Sequence, residues 1–152
     1  MYKTVLLLAI AATAEAGQPY LMYGGPLNTP EAPGIKAGVL GYQAPLTEVF
    51  DYKFEVGGYA FPSSTRYWVS PSLGLSTKTT PIFAKIFFGP AALTASDERL
   101  TSWWQFNHDL ELGLKGESGV SIGVDYKHMS NAGLSGANLG RDFLMLKIGF
   151  DL

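Results

Sequence analysis

Trp104-Gln105-Phe106-Asn107-His108-Asp109-Leu110-Glu111-Leu112-Gly113-Leu114 alternates between two kinds of side chain. Trp104, Phe106, His108, Leu110, Leu112 and Leu114 share one parity, and Gln105, Asn107, Asp109, Glu111 and Gly113 share the other. Successive side chains of a strand point to opposite faces, so a period of two predicts a β-strand with one apolar and one polar face. The pattern recurs upstream, where Phe50, Tyr52, Phe54 and Val56 alternate with Asp51, Lys53, Glu55 and Gly57. It recurs twice more at the C-terminus. Val120, Ile122, Val124, Tyr126, His128 and Ser130 form one stripe, and Asp142, Leu144, Leu146, Ile148, Phe150 and Leu152 form another.

Working outward, segments near 18–23, 35–43, 65–75 and 82–88 complete a count of eight strands. Gly24 to Gly34 carries three prolines and reads as loop, as does the polar stretch from Gly89 to Thr101. Pro62-Ser63-Ser64 and Lys115 to Gly119 read as turns. In a soluble sandwich the apolar stripes would be the core; in an outer-membrane barrel they meet lipid while the charges fill the lumen. The even count, the short turns alternating with longer loops, and stripes long enough for strands of about 9–11 residues favour the barrel. The expected fold is an all-β, eight-stranded antiparallel up-and-down outer-membrane β-barrel with both termini periplasmic.

The first residues read as an export signal. Lys3 gives a short positive region and Val5 to Ala12 an apolar run, followed by Ala12-Thr13-Ala14 and Ala14-Glu15-Ala16 as cleavage options. The expected division is a signal peptide over 1–16 and a single barrel domain over 17–152. Its absence of Cys excludes a disulfide-stapled secreted scaffold. A net charge of −2 argues against nucleic-acid binding.

Polar residues interrupt the apolar stripes where the last two strands meet. His128 and Ser130 lie two apart and so face the same way, and an antiparallel hairpin closed by loop 131–141 brings Asp142 beside them. An imidazole, a hydroxyl and a carboxylate are the parts of a serine hydrolase site, serving as base, nucleophile and orienting acid. On a barrel the three face lipid near the outer end of the hairpin. Ionisable groups on a lipid face are tolerated only near the interface, so their grouping there implies a substrate that is itself a membrane lipid. His108 also falls on an apolar stripe, beside Trp103 and Trp104, and reads as an interfacial polar residue near an aromatic girdle. No metal or other cofactor is expected.

His128-Met129-Ser130-Asn131-Ala132-Gly133-Leu134, followed by Asn138-Leu139-Gly140-Arg141-Asp142, resembles the signature of PagL-type lipid A 3-O-deacylases. The resemblance spans about residues 124–150. It implies an eight-stranded outer-membrane barrel with His128 as base, Ser130 as nucleophile and Asp142 as triad acid. It further implies an oxyanion hole drawn from Asn131, the Gly133 amide and Asn138, and a serine esterase acting on the 3-O-linked acyl chain of lipopolysaccharide lipid A. The family's acid is usually Glu, and Asp142 is one methylene shorter. Two other readings compete: a non-catalytic barrel serving adhesion or membrane integrity, and a soluble sandwich. Oligomeric state stays open, with a homodimer among the arrangements considered.

Overall fold

The computed structural model describes residues 17–27, 34–61, 64–77, 81–134 and 138–152. The expected signal peptide, 1–16, lies outside them. Eight strands follow in order: β1 (Gln18–Pro26), β2 (Lys36–Pro45), β3 (Phe50–Phe61), β4 (Ser64–Ser76), β5 (Ile82–Leu93), β6 (Trp104–Lys115), β7 (Val120–Ser130) and β8 (Arg141–Phe150). Each pairs antiparallel with its neighbours in sequence, and β1 pairs with β8 to close the barrel. Closure leaves no unpaired sheet edge, the condition for a β-protein to sit in hydrocarbon.

The parity read from sequence is the parity of the barrel wall. Leu110, Leu112 and Leu114 on β6, Ile122 and Val124 on β7, and Leu144, Leu146 and Ile148 on β8 are all exposed on the outside. Lys53, Glu55, Gln105, Asn107, Asp109, Glu111, Asp125, Lys127 and Lys147 are all buried inside. Buried charges are tolerable only when paired, and most of these are closely paired, while Asp125 lies 3.8 Å from Lys53 Nζ with neither carboxylate oxygen hydrogen-bonded. Lys127 Nζ lies 2.6 Å from Glu55 Oε2 and 2.5 Å from Asp109 Oδ1. Lys53 bridges Asp109 and, at 3.2 Å, Glu55, while Lys147 holds Glu111 at 2.7 Å and Gln43 at 2.8 Å.

Toward the end that carries loop 94–103 the lumen changes character. The rings of Tyr59, Trp68 and Phe143 pack together, with centroids 5.6 to 6.1 Å apart. The Arg141 guanidinium lies over Tyr59 and Phe61, 5.1 and 5.3 Å from the ring centroids. An aromatic plug above a charged network makes the interior a packed core, as expected when only eight strands surround it.

Two strands run further than the sequence suggests. β1 continues through Gly24, Gly25 and Pro26, and β5 through Gly89, Pro90, Ala91, Ala92 and Leu93. Glycine and proline there look like punctuation, yet Ala91 and Leu93 are buried against the lumen, and that burial carries the strand onward. The prolines leave a mark on the ladder. β4 and β5 pair at Trp68↔Leu93 and Val69↔Ala92 and again from Leu73↔Phe88 to Ser76↔Lys85, with nothing paired in between. Counting across that gap sets Pro71 opposite Pro90, two residues without an N–H to donate. The Ser70 hydroxyl donates to the Pro90 carbonyl oxygen at 3.0 Å in place of a ladder bond.

Candidate active site

The β7–β8 hairpin sets the site. Its ladder runs unbroken from Val120↔Phe150 to Met129↔Arg141, and His128 pairs directly with Asp142. Inward-facing Lys127, Met129, Arg141 and Phe143 are fully buried, which fixes the register and turns His128 and Asp142 outward; Ser130 shares their parity but is itself buried, 9% exposed. His128 Nδ1 lies 2.6 Å from Asp142 Oδ1. The shorter acid spans the gap because the two are direct cross-strand partners. The side chains of His128 and Asp142 keep 35% and 21% of their accessible surface, so a lipid can reach them.

Asp142 Oδ1 accepts a second hydrogen bond, from the Tyr126 hydroxyl at 2.7 Å. Sequence reading placed Tyr126 on the His128 face but gave it no role. The signal was there, since a long side chain reaches the diagonal position on the neighbouring strand. Ser130 occupies the same face as His128, one step past the last ladder pair and so across from Gly140. Among the described residues its hydroxyl has no hydrogen-bond partner, His128 included. Nucleophile–base contacts commonly tighten only when substrate binds.

Gly140 lies against the edge of the imidazole that carries Cε1 and Nε2. It adopts φ +64°, and a Cβ there would lie 2.8 Å from His128 Cε1 and 3.4 Å from Nε2. Across the other flank, His108 pairs with His128 at a centroid separation of 5.9 Å and stands edge-on to Phe88.

The loop donors expected around an oxyanion are partly engaged with one another. Asn131 to Leu134 form a turn closed by Leu134 N–H donating to Asn131 O at 3.1 Å, with positive φ at Ala132 and Gly133. Gly133 N–H donates to Asn131 Oδ1 at 2.9 Å. Asn131 itself is buried and its Nδ2 reaches Thr101 Oγ1 at 3.4 Å. With its amide oriented to satisfy both neighbours, Asn138 Oδ1 accepts from the N–H groups of Asn131 and Ala132, at 3.2 and 3.3 Å.

The β5–β6 loop, 94–103, buttresses this turn, and sequence reading missed it. Leu100 forms an isolated bridge with Asn138, and Arg99 Nε donates to Gly140 O at 2.9 Å. Asp97 anchors the loop: its carboxylate accepts from Tyr59 Oη at 2.5 Å, from the Arg99 and Leu100 amides at 2.8 Å, and from Arg141 Nη2 at 3.1 Å. Burial pushes the Asp97 carboxyl upward, but those donors outweigh it and hold it below the usual carboxylate range. Among the described residues no group of three or more His, Asp or Glu side chains is arranged to hold a metal ion.

A closed eight-stranded barrel, apolar outside and charged inside, defines a transmembrane β-barrel of the outer-membrane class. The model of the lipid A 3-O-deacylase (PagL) family matches residues 37–151, and the chain belongs to that family. Among solved structures it is similar to the outer membrane enzyme PagL, with a TM-score of 0.71 at 19% identity over 89% of this chain and 99% of that one. It is also similar to a de novo designed transmembrane β-barrel, with a TM-score of 0.68 at 12% identity over 92% of this chain and 98% of the design. The Yersinia pestis outer membrane protein Ail matches at a TM-score of 0.56 and 10% identity, over 91% of this chain and all of Ail. These likenesses share the fold. No curated protein matches significantly in sequence.

Proposed function

We propose that this chain is a serine esterase that removes the 3-O-linked acyl chain of lipid A, using Ser130, His128 and Asp142 on the lipid-facing surface. The observation that carries the reading is the 2.6 Å contact between His128 Nδ1 and Asp142 Oδ1, beside a serine on the same face at the outer edge of the barrel. Asp142 fixes the imidazole so that Nε2 is the basic nitrogen. His128 takes the Ser130 proton as Ser130 Oγ attacks the ester carbonyl, and returns it to the departing sugar oxygen. Water then attacks the acyl-enzyme by the same route and releases the fatty acid.

The tetrahedral oxyanion needs donors placed in advance. Asn138 Nδ2 is the foremost, with Asn131 Nδ2 behind it. Gly133 N–H joins only by exchanging its Asn131 partner. The substrate reaches the site sideways from the outer leaflet, so the filled lumen is no obstacle. All three reacting residues lie on one hairpin of one chain, and the scheme requires no homodimer. Export through a cleaved 1–16 segment is part of the same proposal.

Mass spectrometry of lipid A from cells expressing wild type or Ser130→Ala tests it. Wild type should remove one acyl chain from the 3-O position, and Ser130→Ala should remove none while still folding as a heat-modifiable barrel. Substantial deacylation by Ser130→Ala would refute the chemistry. Loss of a chain from any other position would refute the regiochemistry alone.

A further inference from the structure

The geometry points to Tyr126 as a positioning residue, one that holds the Asp142 carboxylate in register with His128. The inference rests on the esterase reading above and adds a fourth side chain to it. Tyr126 Oη and His128 Nδ1 converge on the same oxygen of Asp142, at 2.7 and 2.6 Å. The two donors come from one strand, two residues apart and on one face, while the acceptor comes from the neighbouring strand. A carboxylate held by a single donor can swing about its Cα–Cβ bond; one fixed from both sides keeps Oδ1 under the imidazole.

The location makes that constraint necessary. Asp142 sits at the outer end of an apolar stripe, with Leu144 and Leu146 following it on the same face. Water, which would orient an exposed carboxylate in a soluble enzyme, is scarce at a lipid boundary. The Tyr126 hydroxyl takes that part while its ring remains an ordinary lipid-facing aromatic. Because Asp142 is one methylene shorter than Glu, its Oδ1 has a narrow range of positions from which to meet Nδ1. A second donor on the same atom selects among them.

The test is steady-state kinetics on purified lipopolysaccharide in mixed detergent micelles, with folding followed by heat-modifiable migration. Tyr126→Phe should lower kcat roughly tenfold, the scale of one hydrogen bond to a charged group, and leave KM within twofold. Tyr126→Leu, a lipid-compatible residue without the ring, should lose as much and guards against a packing effect peculiar to Phe. In the Asp142→Asn background the same Tyr126→Phe change should alter the residual rate less than threefold, since the hydroxyl acts through the carboxylate. Wild-type turnover in Tyr126→Phe, a loss confined to KM, or a tenfold loss undiminished in the Asp142→Asn background would each overturn the inference. Activity surviving in Ser130→Ala would instead overturn the esterase reading, so the two failures are distinguishable.

Discussion

Gly140→Ala places one methyl group where the imidazole now lies. The added Cβ would stand 2.8 Å from His128 Cε1, inside any contact two carbons tolerate, and 3.4 Å from Nε2. The neighbouring atoms cannot easily yield, because His128 is tethered to Asp142 on its far side and Arg99 holds the Gly140 carbonyl. Two costs follow. An Ala at φ +64° carries about 1–2 kcal/mol of backbone strain, which the barrel absorbs without unfolding. The larger effect is on geometry: displacing a catalytic group by about 1 Å costs on the order of 10²-fold in rate. Expected, then, is a fall in kcat of roughly 10²-fold with a folded barrel, measured as fatty-acid release from lipopolysaccharide in micelles. Gly34→Ala is the control. Gly34 has φ +92°, and nothing lies within 4 Å of where its added methyl group would stand, so it imposes the strain without the collision and should retain activity. Gly140→Ala turning over like wild type would show that the imidazole does not need the space.

Three further outcomes follow from the same contacts. Asp142→Asn should cut turnover by roughly 10⁴-fold, the scale for losing the correct His tautomer at a serine-protease triad; Asp142→Glu should also lower it, because Nδ1 and Oδ1 already meet at 2.6 Å and an extra methylene pushes the ring off Ser130. Wild-type rates in Asp142→Asn would mean another group orients His128. Asp97 predicts an acid limit for the outer loops. Its carboxyl is held below its unfolded value of about 3.9, so its contribution is complete above that value and is lost as pH falls through the lower, folded one. Hydrogen exchange in 94–103 should therefore accelerate below about pH 4, and Asp97→Asn should show that acceleration at neutral pH; protection unchanged in the variant would refute the anchoring role. Lys127→Met leaves Glu55 and Asp109 to share Lys53 alone and should destabilise the barrel by up to about 3–5 kcal/mol, read as a lower temperature for the change in gel migration.

The strands were legible because each barrel residue meets either lipid or lumen, and the two environments select opposite chemistry at every second position. His128, Ser130 and Asp142 showed themselves as polar residues on apolar stripes, a violation that only an interface or a function explains. The β5 extension was hidden because Gly89 and Pro90 carry a turn signal that the burial of Ala91 and Leu93 overrides. Tyr126 was hidden for the opposite reason: an aromatic on a lipid-facing stripe fits its surroundings, and only the 2.7 Å contact reveals the hydroxyl's partner. The Asp97 and Arg99 buttress comes from a loop some 40 residues away in sequence, as the 41-residue separation of Arg99 and Gly140 records. No local pattern encodes such a contact.

The facing prolines of β4 and β5 give the wall an uneven mechanical compliance. A ring of strands under thermal load parts first where its hydrogen bonds are fewest, and the stretch between Val69↔Ala92 and Leu73↔Phe88 is that place. The β7–β8 ladder has no such interruption. Opening of the cylinder should therefore begin at that seam, which β6 separates from the reacting hairpin.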